Sequence, residues 1–539
     1  MKKSQNTKKL IIICSALLTI TFGLVLLFKL ISNTDSDIPG NQSIPPDNSP
    51  SASETNGYIR TPQRPSFSIK GGIYENPMTI ELSATDGAVI HYTTNYTIPT
   101  KDSPVYSEPI SIDKTTVISA VSIKNGRVSK PETNTYLMGV SHELDVVSLV
   151  IDPNELYNED TGIYVIGKNP GPDGENANMF QDWERPGHIE FYDKNNTQGF
   201  SLNVGIKIFG FSSRIFQQKS FAIMTRNKYD DAKIEYPLFE DKPDLTSFKS
   251  IVLRNAGQDH NQTRIKDALT GKLFSTTNVD YQAYRPSVVY LNGEYWGIYN
   301  IREKINEHFI ADNNGIADPS TVNIIDYDGS VKAGNDDGYT DLVDYIKQND
   351  LSQSVHYEYV NSKLDIDSFI DMTISHIYAD NFDYEFNVRF WKEQGDNNKW
   401  KCISYDHDLG MEDNPDSVMI LDYMINYFHR ISWSDTPLSQ YSVMVTKLLR
   451  NPDFKTHLID RMDYLLKNEL SAENVLPLID SMSAKISAEM PADVDRWKIE
   501  ESPNTMENWT AKIEALKEFA RKRPEKLIVQ ARNDLKNVK

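Results

Sequence analysis

The chain has few cysteines and a deficit of positive charge, and each of these shortages excludes a class of protein. Only two cysteines occur among 539 residues, Cys14 in an apolar N-terminal segment and Cys402 in a strand-like run. No disulfide framework within the chain is therefore expected. Lysine and arginine number 56 against 76 aspartate and glutamate residues, so the formal net charge is -20. Nucleic acid is not expected as a partner, because its phosphates attract a basic surface.

The sequence also lacks the common patterns of nucleophilic catalysis and of nucleotide binding. No Ser-His-Asp or Cys-His arrangement is legible, and neither cysteine lies near a candidate base. The loop "GFSSR" at residues 210–214 is no Walker motif. The strongest remaining chemical signal is a cluster of carboxylates.

The N-terminus predicts a membrane anchor. Residues 1–9 are basic and residues 10–31 form an apolar run, "LIIICSALLTITFGLVLLFKLI", long enough to cross a bilayer as a helix. The positive charge before the run places the N-terminus inside and the C-terminal domains outside. No Ala-x-Ala-like cleavage site follows, so we expect an uncleaved single-pass anchor in the cell membrane, with a cleaved signal peptide as the alternative.

Residues 32–65 and 66–138 differ sharply in character. The first segment is rich in Ser, Asn, Asp and Pro and predicts an extended, disordered linker. The second contains short alternating runs such as "AVIHYTTN" and "TTVISAVSIK", separated by Asp-Gly, Pro and Asn-Gly turn signals, which predicts a small β-sandwich. It resembles the Ig-like domain found at the C-terminus of chitobiases and in bacterial surface proteins. That resemblance implies a positioning module, or one that binds a cell-wall glycan.

Residues 139–539 predict an α+β domain with a helical C-terminal tail. Strand-like runs such as "SVVYLNGEYWGIYNI" dominate the first part, and the Asn-Gly pair in that run predicts a two-residue hairpin turn. Helical patterns such as "KIEALKEFARKRPEKLIVQARNDLKN" follow. The predicted fold class is therefore multidomain: an N-terminal transmembrane helix, a small all-β sandwich, and an α+β domain with helices at its end.

One local hairpin brings four polar residues together. Strand-like runs at 387–393 and 399–405 flank the turn cluster "QGDNN", so the two runs should pair as antiparallel strands. Folding at this turn returns Asp406 to the side of Asn387, with Asp383 one step further out. Asp408 follows at the same end. Crowded carboxylates at the end of a buried strand repel each other, so a cation should compensate them.

This set of side chains suits phosphoryl transfer to a hydroxyl group. That reaction needs carboxylate and amide ligands for a divalent cation and a separate carboxylate to accept the hydroxyl proton. The alternative is a purely structural role, in which these acids cap helices and line a solvated loop. His407, between two of the aspartates, should point to the opposite face of an extended strand, which favours a packing or surface role.

Several separated segments resemble the spore coat protein H (CotH) kinase family. They are "FGFSSRIFQQKSF", "YLNGEYWGIYNIREKINEHFI", "NFDYEFNVRFWKE" and "WKCISYDHDLGM". The resemblance implies an atypical protein-kinase-like fold that uses ATP and Mg²⁺ or Mn²⁺ to phosphorylate protein Ser or Thr. It implies Asp383 as the catalytic base, Asp406 as a metal ligand, and Asn387 and Asp408 as metal-supporting residues. The spacing from Asp383 to Asn387 is one residue tighter than in ordinary protein kinases.

The nucleotide-binding half is expected around "GFSSR" and the strand that follows it. Ser213 lies where backbone N–H groups could approach phosphate, Arg214 offers a guanidinium fork, and Lys219 offers a point charge. Glu303 would orient Lys219, as a kinase glutamate orients its phosphate-binding lysine. Lys304 is a substitute candidate for that lysine. The alternative for Arg214 and Lys219 is a solvated edge strand.

The sequence therefore favours one function and leaves a second open. The favoured function is ATP- and metal-dependent phosphorylation of a Ser/Thr-rich surface or spore-coat protein. The alternative is a catalytically inactive surface or coat scaffold with a glycan- or protein-binding β-sandwich. Clustered carboxylates without a cation would be costly to keep, which argues against the scaffold.

Overall fold

The structure is a computed structural model, and it describes most of the chain after residue 60. The described ranges are 61–85, 87–172, 174–230, 233–412, 419–426, 439–498 and 504–536. The predicted anchor at 10–31 and nearly all of the predicted linker lie outside these ranges. Across the ranges that the structure describes, no helix has the length and apolar character needed to cross a membrane.

The chain divides into two compact units that do not follow chain order. The first contains residues up to 140 together with 150–188 and 205–219. The second contains 141–149, 189–204 and 220–539. The domain boundary expected at 138/139 stays a prediction.

In the part of the chain that the structure describes, strands predominate up to residue 333 and helices after residue 338. The strands are β1 Ser66–Phe67, β2 Gly72–Tyr74, β3 Met78–Ile80, β4 Leu82–Ser83, β5 Val89–Thr93, β6 Ile110–Ile112, β7 Thr116–Lys124, β8 Arg127–Val128, β9 Glu132–Met138, β10 Asp145–Ile151, β11 Arg185–Tyr192, β12 Gln198–Phe209, β13 Ser220–Met224, β14 Ile234–Glu235, β15 Ser247–Phe248, β16 Ser250–Arg254, β17 Asp280–Tyr281, β18 Tyr284–Leu291, β19 Glu294–Glu303, β20 Val322–Asp326, β21 Val331–Ala333, β22 Val388–Glu393 and β23 Lys401–Ser404. The helices are α1 Pro153–Tyr157, α2 Lys266–Leu273, α3 Glu307–Asn314, α4 Tyr339–Gln348, α5 Ser354–Lys363, α6 Ile366–Ala379, α7 Met419–Asn426, α8 Gln440–Leu448, α9 Pro452–Lys467, α10 Ala472–Ser487, α11 Met490–Arg496 and α12 Met506–Leu535.

The first unit contains the predicted all-β domain. Its main sheet has the order β2-β9-β7-β5, and two small sheets pair β1 with β4 and β3 with β6. Apolar residues on alternating strand positions form its core, among them Ile80, Ile118 and Tyr136. The turn from β7 to β8 consists of Asn125 and Gly126, both with positive φ. The Asn-Gly signal in the sequence therefore marks a real two-residue turn.

In the second unit, one set of strands is paired in the order β10-β18-β19-β16-β13. β10 runs parallel to β18, and the other three pairs are antiparallel. The predicted hairpin joins β18 to β19 through Asn292 and Gly293, whose φ angles are 52° and 75°. An α+β domain follows the all-β domain, and its C-terminal part is helical, as predicted.

A second sheet, of order β17-β23-β22-β20-β21, carries the predicted acidic hairpin. β22 and β23 are antiparallel, with Val388 opposite Ser404 and Trp391 opposite Lys401. The strands are shorter than predicted, because the ladder leaves out residues 399 and 400 next to the turn and residues 387 and 405 at the open end. Trp400 is buried and packs against the ring of Tyr339, with 5.1 Å between the ring centroids.

The helix before this hairpin, α6, is buried along almost its whole length and ends at Asp380, which has a positive φ. Helix ends leave their last carbonyl groups without partners inside the helix. The buried side chain of Arg523, on α12, donates to the carbonyl oxygens of Ile377 and Tyr378. The C-terminal helix thereby fixes the point from which the loop to β22 departs.

We expect Arg523→Met to lower the free energy of unfolding by about 3 kcal/mol, because two buried carbonyl groups lose a charged donor. Urea titration of the full chain measures this change. Arg521→Met is the matched control on the same helix, since Arg521 is exposed and pairs with the equally exposed Glu518. It should cost less than about 0.5 kcal/mol. Equal losses for both variants would contradict the role given to Arg523.

Candidate active site

The β22–β23 hairpin brings the predicted acidic residues to one end of the second sheet. Asp383 and Asn387 lie in the loop between α6 and β22, and Asp406 and Asp408 follow β23. Nδ2 of Asn387 donates to the backbone oxygen of Asp406 at 2.9 Å, and Nδ2 of Asn381 donates to the same oxygen at 3.2 Å. Asn387 therefore binds the backbone of Asp406 and acts as a positioning residue.

A guanidinium group lies between the two aspartates that follow β23. Nη2 of Arg254, at the end of β16, donates to Oδ1 of Asp406 and, at 2.6 Å, to Oδ2 of Asp408. The side chain of Asp406 is 31% exposed, whereas that of Asp408 is 1% exposed. Burial alone would lower the pKa of Arg254, but the charges of Asp406, Asp267 and Asp408 raise it. The guanidinium stays charged.

Asp408 is a buried carboxylate, and only one of its two oxygen atoms accepts hydrogen bonds from the described residues. Its Oδ2 also accepts from the backbone N–H of Gln258 at 3.1 Å. Its Oδ1 is buried and has no hydrogen-bond partner among the residues that the structure describes. Burial and the negative charges of Asp406 and Asp383 raise the pKa of Asp408 well above its usual value, against the opposing effect of Arg254. Asp383 thus belongs to the same electrostatic environment, and a solvated loop does not describe this site.

The segment that contains these acids is fixed by a second buried carboxylate, Asp267 on α2. Its Oδ1 accepts from the backbone N–H of His407 at 3.0 Å, and its Oδ2 pairs with Nη1 of Arg302 at 2.5 Å. Nε of Arg254 lies 3.7 Å from the same Oδ2. Burial alone would raise the pKa of Asp267. The charges of Arg302 and Arg254 lower it by more than burial raises it, so the net shift of the pKa is downward. Asp267 is therefore an anion held between two arginines.

His407 has the packing role that the sequence predicted. Its ring is buried and stacks on His376, with 4.9 Å between the ring centroids and 25° between the planes. Its Nε2 lies 3.3 Å from Oγ of Ser375. Burial lowers the pKa of His407 to about 4 and that of His376 well below its usual value. Both rings are therefore neutral at pH 7.

Sequence reasoning missed Arg254, Asp267 and Arg302. The only local signal is that Arg254 ends an apolar strand directly before a loop with glycine. Its partners Asp406 and Asp408 lie 152 and 154 residues away in sequence, so no local pattern could show the contact.

Glu303 has a lysine partner, but not the lysine that the sequence suggested. The carboxylate of Glu303 accepts from Nζ of Lys242, from the backbone N–H of Ala283 at 2.8 Å and from Nδ2 of Asn313 at 2.7 Å. Neighbouring residues of a strand point to opposite faces, so Glu303 and Arg302 are directed away from each other. Since Arg302 faces Asp267, the Lys242–Glu303 pair lies on the other face of the sheet. Glu303 does not face the acidic cluster.

Ser213, Arg214 and Lys219 belong to the first unit. Arg214 donates from Nε to the carbonyl of Gly210 at 2.6 Å and from Nη1 to that of Phe180 at 2.9 Å. Nζ of Lys219 donates to the carbonyl oxygens of Arg214 and Phe216. Lys219 is 4% exposed, and burial lowers its pKa to about 8, so it is not on a solvated edge strand. These contacts order the loop around the buried Ser213, and phosphate binding by the three residues stays a prediction.

The donors at the acidic end fit a hard divalent cation in part. The unpaired Oδ1 of Asp408 and the partly exposed carboxylate of Asp406 are the oxygen ligands that such an ion prefers. In the part of the chain that the structure covers, however, no group of three or more His, Cys, Asp or Glu side chains is arranged to hold a metal ion. The predicted ligand set of Asp406, Asn387 and Asp408 stays a prediction: Nη2 of Arg254 lies between the two carboxylates, and Asn387 contacts the backbone through its Nδ2.

Comparison with known protein families gives two matches. Residues 206–527 match the model described as CotH kinase protein, and residues 69–135 match the chitobiase/beta-hexosaminidase C-terminal domain. Both matches agree with the resemblances seen in the sequence. A search of curated proteins returned no match.

We expect Gly257→Ala to disturb this site more than another glycine of similar conformation. Gly257 has φ +58°, and a Cβ there would lie 1.8 Å from Oδ2 of Asp408. Gly315 has φ +66° and open space around it, so Gly315→Ala should cost only the backbone strain of about 1 kcal/mol. Gly257→Ala should cost at least about 2 kcal/mol more, because Asp408 must move. Urea titration measures both; equal losses would show that residues 257 and 408 are not in contact.

The buried neutral state of His407 predicts a pH-dependent stability. Its pKa is about 4 in the folded chain and about 6.5 in the unfolded chain. Below pH 6.5 the unfolded chain therefore binds a proton that the folded chain does not, and stability falls as the pH falls towards 4. Between pH 7.5 and 5 the stability difference between wild type and His407→Gln should shrink by about 2 kcal/mol. A difference that stays constant across this range would contradict a buried, neutral His407.

Proposed function

Because the chain belongs to the CotH kinase protein family, we propose that it transfers the γ-phosphoryl group of ATP to a Ser or Thr hydroxyl of another protein with the help of a divalent cation. The observation that carries this proposal is the shared environment of Asp383, Asp406 and Asp408 at the open end of the β22–β23 hairpin. Phosphoryl transfer to a hydroxyl uses carboxylates of this kind for the proton and for the cation.

Each acidic residue has a separate role in the proposed reaction. Asp383 accepts the hydroxyl proton while the hydroxyl oxygen forms its bond to the γ-phosphorus and the bond to ADP breaks. Asp406 and Asp408 hold Mg²⁺ or Mn²⁺, which neutralises phosphate charge when bound. Asn387 and Asn381 keep Asp406 in place through its backbone oxygen. Asp267 and Arg302 fix the backbone between the two acids.

Location and partners are part of the same proposal. The apolar run at 10–31 would anchor the chain in the cell membrane with the folded units outside, where a Ser/Thr-rich surface or spore-coat protein would be the acceptor. The β-sandwich that matches the chitobiase-type domain would position the kinase-like domain, or would bind a cell-wall glycan.

A second candidate is a scaffold whose kinase-like domain has lost catalysis. Arg254 favours it, because one guanidinium already compensates the carboxylates of Asp406 and Asp408. Clustered acids are then no evidence for a bound ion. The two candidates differ in whether the wild-type chain incorporates any phosphate.

We expect the wild-type chain, given labelled ATP, Mn²⁺ and a Ser-rich protein, to incorporate label. Asp383→Asn should reduce the rate by at least about 100-fold, because general base catalysis contributes that much. Asp406→Asn should reduce it comparably, through loss of the ion. Asp396→Asn, in the exposed hairpin turn, is the control and should leave the rate unchanged. No incorporation by wild type favours the scaffold, and equal incorporation by all four proteins removes both acids from the mechanism.

A further inference from the structure

The structure has a fixed cation at the place where the proposed function requires a bound one. We propose that the guanidinium of Arg254 and a divalent cation compete for the carboxylates of Asp406 and Asp408, so that Arg254 sets how tightly the site holds the ion. The role of the ion rests on the proposed function, whereas the contacts of Arg254 with the two acids are features of the described residues.

A single nitrogen atom makes both contacts. Nη2 of Arg254 bonds to Oδ1 of Asp406 and to Oδ2 of Asp408. Two carboxylates that reach the same atom share one cation position between them. A divalent ion bound to the same two oxygen atoms would need that position, so the ion and Nη2 cannot both occupy it.

The side-chain hydrogen bonds of the guanidinium group go to the two acids, and Asp267 adds the attraction of its charge. Nε of Arg254 is buried and has no hydrogen-bond partner among the described residues, and it lies 3.7 Å from Oδ2 of Asp267. That carboxylate is already paired with Arg302 at 2.5 Å. Among the described residues, Asp406 and Asp408 therefore supply the short contacts that hold the end of the Arg254 side chain, and Asp267 supports it from 3.7 Å.

Asp406 and Asp408 both have carboxylate oxygen atoms that could still bind a divalent cation. Oδ1 of Asp408 is buried and lacks a hydrogen-bond partner in the ranges that the structure covers. The carboxylate of Asp406 is 31% exposed and offers access from solvent. The charge of Arg254 repels an approaching cation and offsets one of the two negative charges, so its presence lowers the affinity.

The test is Mn²⁺ binding to the full chain without nucleotide, measured from the electron paramagnetic resonance signal of free Mn²⁺. Arg254→Met should bind Mn²⁺ at least about tenfold more tightly than wild type, which corresponds to about 1.4 kcal/mol. Adding Asp408→Asn to that variant should remove the gain. Arg285→Met is the matched control, because Arg285 forms a comparable ion pair with Asp145 at 2.6 Å; it should leave the affinity at the wild-type value.

Equal or weaker Mn²⁺ binding by Arg254→Met would overturn the inference. If that variant does not fold, Arg254→Gln replaces it, since glutamine removes the positive charge and keeps a polar head group that can donate to a carboxylate. Its affinity should lie above that of wild type, and an affinity equal to or below wild type is again contrary. Since this measurement uses no ATP, its outcome is separate from phosphate incorporation: either result can fail while the other holds.

Discussion

The contact of Arg254 with Asp406 and Asp408 is the interaction on which the rest of the site depends. Two carboxylates, one of them fully buried, lie close enough to share one guanidinium nitrogen. Without a cation they would repel each other and lose hydration, and one would have to take up a proton. The function of this end of the sheet therefore depends on whether the Arg254 guanidinium or a divalent ion compensates the two carboxylates.

Three separate parts of the fold bring that contact about. The β22–β23 hairpin returns the chain to the loop after α6, and Asn387 and Asn381 bind the backbone of Asp406 there. β16 delivers Arg254, and the glycine at 257 lets the backbone approach Asp408. Arg523, on the last helix, holds the end of α6. The acidic site thus draws on residues from Arg254 to Arg523, all of which lie within the range of the family match, residues 206–527.

Local features could be predicted from the sequence, and features that depend on distant pairing could not. The turn at Asn292-Gly293 and the β22–β23 hairpin follow from turn residues and alternation, and both are present. The cluster of acids follows from that hairpin alone. Arg254, by contrast, contacts Asp406 and Asp408 from 152 and 154 residues away in sequence, and no local pattern joins them. The pairing of Glu303 with Lys242 could not be predicted either, since no local pattern links the two residues.

We propose that the acids at 383, 406 and 408 form one site, in which a divalent ion takes the place of the Arg254 guanidinium. Crystals grown with Mn²⁺ and a non-hydrolysable ATP analogue test this through the anomalous scattering of manganese. We expect a manganese peak about 2.1 Å from carboxylate oxygens of Asp406 and Asp408, with the Arg254 side chain moved away from both. A peak elsewhere in the chain, or Arg254 still bridging the two carboxylates at saturating Mn²⁺, would contradict it.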